Sequence, residues 1–295
     1  MKSKPSYPLA ILESVFVNII WASSFIFVKL LLKDLGPLTI GGLRYFIGFL
    51  VLLPFMLRRG KLSYAIPRRM WLRLLLIGLS AYTIGNGAMF WSLKYLPATT
   101  VSFMMSIITL LVLFGGILWL KEIPTWLQTV GILVTLGGTA LFFSIGLKPG
   151  EPLGMAVLSI GLISFTLFGV LGREAARGQK LDTLSLTAIP LALGGGLLLL
   201  VALPLEGLPH ASPATWGLVL WLAAVNTALG YILYNHALQV LTAFEMNVML
   251  NLSPLWTALM AWFLLGERLS LWQWVGMVIV VVGVALVQRR QEGRR

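Results

Sequence analysis

The groups in this sequence that could do chemistry are the polar side chains set inside long apolar runs. Trp21 and Ser24 stand three residues apart, while Tyr82 and Asn86, and again Asn247 and Asn251, stand four apart. In a helix each of these pairs shares one face. Ser102, Phe165, Asn226 and Tyr231 are the remaining candidates of this kind. Amides and hydroxyls hold polar atoms and aromatic rings cover an apolar body, so the ten residues have the composition of a binding surface for an amphipathic small molecule. The competing role of each Asn or Ser is a hydrogen bond between neighbouring helices.

Charged groups are fewer. Arg44 lies inside the apolar run 38–57, where a charge is costly unless it meets water or a partner. It reads either as a clasp for a substrate carboxylate or as a structural group paired with helix carbonyls or Asp34. Glu13, His236 and Glu245 fall toward the ends of their runs and are the candidates for carrying a coupling proton, with solvated or structural roles as the alternative. Glu122 and Glu267 each precede a helix-starting segment, "IPT" and "RLS", where a carboxylate accepts from free backbone N–H groups and faces the positive end of the helix dipole. Catalysis is not indicated. Cysteine is absent, histidine is limited to His210 and His236, and no P-loop occurs, so no catalytic residue, metal site or cofactor is expected.

The elements that must position these residues are long and apolar. Of the 295 residues 58% are hydrophobic and 11% charged, whereas soluble domains carry about 25% charged residues. Runs of the length that spans a bilayer, about 20 residues, occur at 9–32, 38–57, 70–93, 98–120, 125–147, 152–172, 183–203, 214–238, 243–265 and 271–287. The expectation is an all-α integral membrane protein of ten transmembrane helices. Sixteen of the 22 Lys and Arg fall on segments sharing a side with the N-terminus and four on the opposite segments, with Lys29 and Arg44 inside runs. That asymmetry predicts cytoplasmic termini in the cell membrane. It also accounts for the net charge of +12 without a nucleic-acid partner. The expected partners are the bilayer and a small-molecule substrate, and the oligomeric state is left open.

The chain repeats itself. "LKEIPTWLQTVGILVTLGGTAL" at 120–141 aligns without a gap to "LGERLSLWQWVGMVIVVVGVAL" at 265–286, matching Glu122 with Glu267, Gln128 with Gln273, Gly131 with Gly276 and Gly138 with Gly283 at a spacing of 145. Five spans separate the copies, and an odd number of crossings inverts the second. Two five-helix repeats, 1–147 and 148–295, are therefore expected in opposite orientations, with a substrate path between them.

"WASSFIFVKLLLKDLGPLTIGGLRYFIGFLVLLPF" at 21–55, with Trp21, Pro37, Arg44 and Pro54, resembles the opening of EamA-type members of the drug/metabolite transporter superfamily. "LSPLWTALMAWFLLGERLSLWQWVGMVIVVVGVAL" at 252–286 resembles the family's closing segment. The resemblance implies export of small metabolites by alternating access through a central cavity. Amino acids, aromatic ones included, are the expected solutes, with multidrug or other-metabolite export as the alternative and a membrane-embedded enzyme or pore behind both. It also implies that Arg44 recurs in members with different substrates, which favours the structural reading of that residue. Thr109 stands where the second half has Pro254, a departure from the family pattern that leaves open whether both halves bend equally.

Overall fold

The computed structural model describes residues 5–58, 66–92, 95–96, 98–144, 151–178, 181–265 and 269–289. Among them nine helices are long and apolar enough to cross a membrane. They are α1 (Tyr7–Leu31), α2 (Pro37–Arg58), α3 (Arg68–Ser92), α4 (whose crossing portion is Phe103–Leu120), α5 (Trp126–Phe143), α6 (Pro152–Gly178), α7 (Thr183–Glu206), α8 (Pro213–Ala237) and α10 (Leu271–Gln288). The run expected at 243–265 forms α9 as two pieces, Ala243–Leu250 and Ser253–Leu265.

The starts of these helices are written in the sequence. Ser6, Asp182 and Ser212 each cap a helix by accepting from a backbone N–H three residues on. Thr125 with Gln128, Thr242 with Glu245, and Ser270 with Gln273 form full capping boxes, each satisfying two otherwise orphaned donors. The matched glutamines of the repeat are thus helix-start residues.

The matched glycines make the α5–α10 crossing. A Cβ on Gly131 would stand 2.8 Å from the Gly283 carbonyl oxygen, and one on Gly138 would stand 2.9 Å from that of Gly276. Gly131 is the repeat counterpart of Gly276 and Gly138 that of Gly283, so each contact is the image of the other, as around a two-fold axis. Small residues let backbones approach this closely, which is how helices gain packing energy where lipid removes the hydrophobic drive.

Both α4 and α9 are broken, and at corresponding places. α4 is divided between Ala98–Ser106 and Ile108–Gly115 at Ile107, and α9 at Asn251 and Leu252; the counterpart of Ile107 at the repeat spacing is Leu252. The break recurs with Thr109 as with Pro254. Asn251 Nδ2 donates to Thr109 Oγ1 at 2.8 Å, joining the two breaks and supplying a polar partner where the helical ladder stops. A second matched pair of irregularities is the π-helical turns Leu79–Gly85 in α3 and Leu222–Leu229 in α8, the kind of widened turn that often accompanies functional sites.

Candidate functional site

The two π-turns face the middle of the bundle, and each is tied to a helix from the other half of the chain. Trp21 of α1 donates its indole N–H to the Asn226 carbonyl in the α8 turn at 2.9 Å. Ser164 of α6 donates to the Ser80 carbonyl in the α3 turn at 3.0 Å. Asn226 holds α1 further, donating Nδ2 to the Ile20 carbonyl and to Ser23 Oγ. Gly230 makes room for the indole, since a Cβ there would stand 2.8 Å from Trp21 Nε1.

Around these ties the aromatic side chains gather. Trp21 packs on Tyr231 (ring centroids 5.0 Å apart) and Tyr234 (5.6 Å), Tyr82 on Tyr45 (4.8 Å) and Tyr231 (5.1 Å), and Phe168 stacks on Tyr234 (5.6 Å). Tilted and edge-to-face pairs at such spacings contribute about 0.5–1.5 kcal/mol each beyond the area they bury. The rings come from α1, α2, α3, α6 and α8, and Tyr82 and Tyr234 are each 1% exposed. The phenolic oxygens give this apolar body polar points, and Tyr45 lies edge-on to Tyr231 with ring centroids 6.4 Å apart.

Arg44 sits at the edge of the cluster, buried, with its guanidinium carbon 5.2 Å from the centre of the Tyr45 ring. Nη1 donates to Ser24 Oγ at 2.9 Å and Nε to Thr227 Oγ1 at 3.1 Å. The expected pairing with Asp34 is not made, because the Asp34 carboxylate accepts from Thr215 instead.

Of the residues selected from sequence, Trp21, Ser24, Tyr82, Asn86, Phe165, Asn226 and Tyr231 come together here. Asn86 donates to the Ala81 carbonyl at 2.6 Å, and Phe165 packs against Gly85 at the α3 turn. Asn247 donates to the Ala243 carbonyl and lies against Gly169 of α6, next to Phe168. Asn251 is turned away to Thr109 and the Asn247 carbonyl. The Ser102 side chain and Glu267 lie outside the described residues. Sequence reasoning missed Tyr45 and Tyr234. Tyr234 carried a signal in its three-residue spacing from Tyr231, whereas Tyr45, beside Arg44, carried none that separates it from a packing residue.

A second set of polar contacts lies toward the end of the bundle where α1 begins. Glu122 accepts from Arg173 Nε at 2.7 Å and from the Ala243 N–H at 3.0 Å. It therefore sits at a helix start, as expected, but that of α9; α5 is capped by its own Thr125. Glu245 completes the α9 capping box and also accepts from Gln128 Nε2 (3.1 Å) and the Tyr7 hydroxyl (3.3 Å). His236 Nδ1 stands 2.8 Å from Glu13 Oε1. Apart from the α9 capping box, these contacts join the first half of the chain to the second.

A profile of the EamA-like transporter family matches the chain twice, over residues 8–144 and 152–289. An uncharacterised transporter of Archaeoglobus fulgidus is 27% identical over 280 residues, spanning 92% of this chain and 95% of its own. YedA, an uncharacterised inner membrane transporter of Escherichia coli K12, is 26% identical, spanning 91% and 87%. A protein of known crystal structure superposes with a TM-score of 0.80 over 96% of both chains at 16% identity, a likeness of fold alone.

Proposed function

We build our reading on family membership: the chain belongs to the EamA-like transporter family, and we propose that it exports small amphipathic metabolites, amino acids including aromatic ones, by alternating access. It is a membrane transporter of duplicated architecture. In our reading the repeats 1–147 and 148–295 are inverted, α9 supplies a tenth crossing despite its break, and both termini are cytoplasmic. The polar contacts around Glu122, Glu245 and Glu13 then seal the cytoplasmic end.

The observation that carries the substrate assignment is the buried cluster of Trp21, Tyr45, Tyr82, Phe168, Tyr231 and Tyr234 between the two halves of the chain, with Asn86, Ser24 and Arg44 at its edge. Rings cover an apolar side chain while amide, hydroxyl and guanidinium groups meet its polar end. A lipophilic cation, the usual cargo of a multidrug exporter, is disfavoured beside a buried guanidinium. Rocking of the halves would exchange the end that is sealed, with the matched breaks of α4 and α9 taking up the bend. Glu13 and His236 are the candidates for proton coupling.

The test is flux through purified protein in liposomes, with labelled amino acids and with and without an imposed pH gradient. Saturable flux, strongest for aromatic amino acids, is expected; absence of flux for every amino acid would sink the assignment. Flux that needs the gradient and is lost in Glu13→Gln would make the Glu13–His236 pair the coupling site, and gradient-independent flux would remove that role.

A further inference from the structure

We propose that Arg44 is a substrate-binding residue: its guanidinium takes the carboxylate of an organic anion whose aromatic or apolar body lies on the tyrosine cluster. This deepens the reading above and rests on it for the location of the path. The starting point is a charge without a counter-charge. Arg44 is 6% exposed, and its hydrogen bonds are to two neutral hydroxyls, Ser24 and Thr227. Among the described residues no carboxylate lies within ion-pair distance of it. The acids that could have served are engaged elsewhere: Glu122 with Arg173, Glu13 with His236, Asp34 with Thr215, and Glu206 with the backbone N–H groups of Leu38 and Thr39.

A buried guanidinium held only by neutral groups is left undercompensated, because the low-dielectric surroundings penalise the charge while hydroxyls return only part of its hydration. Two features make a carboxylate the fitting compensation. The planar fork carries five N–H donors, of which the two hydroxyls take two, and the fork matches a carboxylate in two-point geometry. The guanidinium carbon stands 5.2 Å from the centre of the Tyr45 ring, which in turn packs on Tyr82 at 4.8 Å and Tyr231 at 6.4 Å, so a molecule anchored at Arg44 has an aromatic surface under its remaining atoms. The two hydroxyls also come from opposite halves of the chain, Ser24 on α1 and Thr227 on α8. Arg44 and Ser24 share the first half, so the Thr227 bond is the one that joins the halves, and a carboxylate that draws the guanidinium away from Thr227 exchanges it for a bond to solute, so binding itself loosens a contact that rocking must break.

The test uses matched probes and full-length protein in lipid nanodiscs, with binding read by calorimetry. L-phenylalanine is compared with L-phenylalaninamide, and 3-phenylpropionate with 3-phenylpropanamide; each pair differs only in carboxylate against neutral amide. In the unaltered protein the carboxylate of at least one pair is expected to bind tenfold or more tightly than its amide. Arg44→Gln is expected to abolish that preference and Arg44→Lys to keep part of it. Equal binding within both pairs, or no binding of either carboxylate, overturns the proposal. So does an Arg44→Gln variant that retains the preference. Should Arg44→Gln fail to fold, the comparison in the unaltered protein and in Thr227→Val still decides: the preference must survive in Thr227→Val, which frees the guanidinium without removing it, and its loss there overturns the proposal. Failure of the transport reading looks different. A carboxylate preference with no flux in liposomes keeps the site and removes the export assignment, whereas flux of neutral aromatic solutes without carboxylate preference does the reverse.

Discussion

At the scale of single residues, the side chains that matter are those whose polar atom has one specific partner across the bundle. Trp21 illustrates this: its indole N–H reaches the Asn226 carbonyl at 2.9 Å while its rings pack on Tyr231 and Tyr234. Trp21→Phe keeps most of the packing and deletes the donor. Hydrogen bonds between membrane helices contribute about 0.6–2 kcal/mol, so the variant should fold with a modestly lowered melting temperature. Solute affinity should fall several-fold because the α8 turn loses its tether. Binding calorimetry beside a melting curve checks both, and unchanged affinity would remove the tether from the binding argument. Asn251 teaches the opposite lesson. It was selected by type and spacing, yet its amide is spent on Thr109, and nothing in the pattern of Asn247 and Asn251 distinguishes a solute contact from a bond between two broken helices.

At the scale of elements, the features readable from the chain are those that act locally. Capping boxes need only a hydroxyl residue and a Gln or Glu three positions later, and Thr125 with Gln128 and Ser270 with Gln273 show this directly. The glycine pairs were visible as matched positions, but that they face one another across α5 and α10 was not. The crossing predicts a strong intolerance. A Cβ at Gly138 would lie 2.7 Å from the Val280 backbone nitrogen, a group that cannot swing aside. Gly138→Leu should therefore force the helices apart, at a cost of about 1–3 kcal/mol or more for overpacking. Gly137→Leu is the control, because a Cβ there meets nothing within 4 Å. Thermal unfolding in detergent should show a large drop for the first and little for the second, and equal drops would contradict the crossing. The matched breaks of α4 and α9 lie beyond the sequence signal for a different reason: Pro254 marks one in the usual way, but Thr109 does not, and the α4 break is held by its neighbours.

At the scale of the whole molecule, one end of the bundle is fastened by contacts between the first and second halves of the chain: Glu122 with Arg173, Glu13 with His236, and Glu245 with Gln128 and Tyr7. If transport proceeds by rocking, these contacts must open in every cycle. The chain contains no cysteine, so Glu13→Cys with His236→Cys places a single pair of thiols across the seam, which a short bis-methanethiosulfonate linker can join where the side-chain tips of the native pair meet. Linking should stop flux and reduction should restore it, while either single variant should be insensitive to the linker; flux that persists through complete cross-linking would refute rocking at this seam. By itself the sequence determined the membrane environment, the helical class, the duplication and most helix starts. Each of these depends on local composition or on a comparison of the chain with itself, and bilayer physics leaves helices as the way to satisfy the backbone of such long apolar runs. Only the tertiary structure decided which polar residues share the central cluster, that Tyr45 and Tyr234 belong to it, that Glu122 serves α9, and that Arg44 has hydroxyls for partners in place of Asp34. Those outcomes depend on how helices are rotated and which surfaces they present to one another, and in a bundle apolar on nearly every face the periodicity that would reveal such rotation is largely absent.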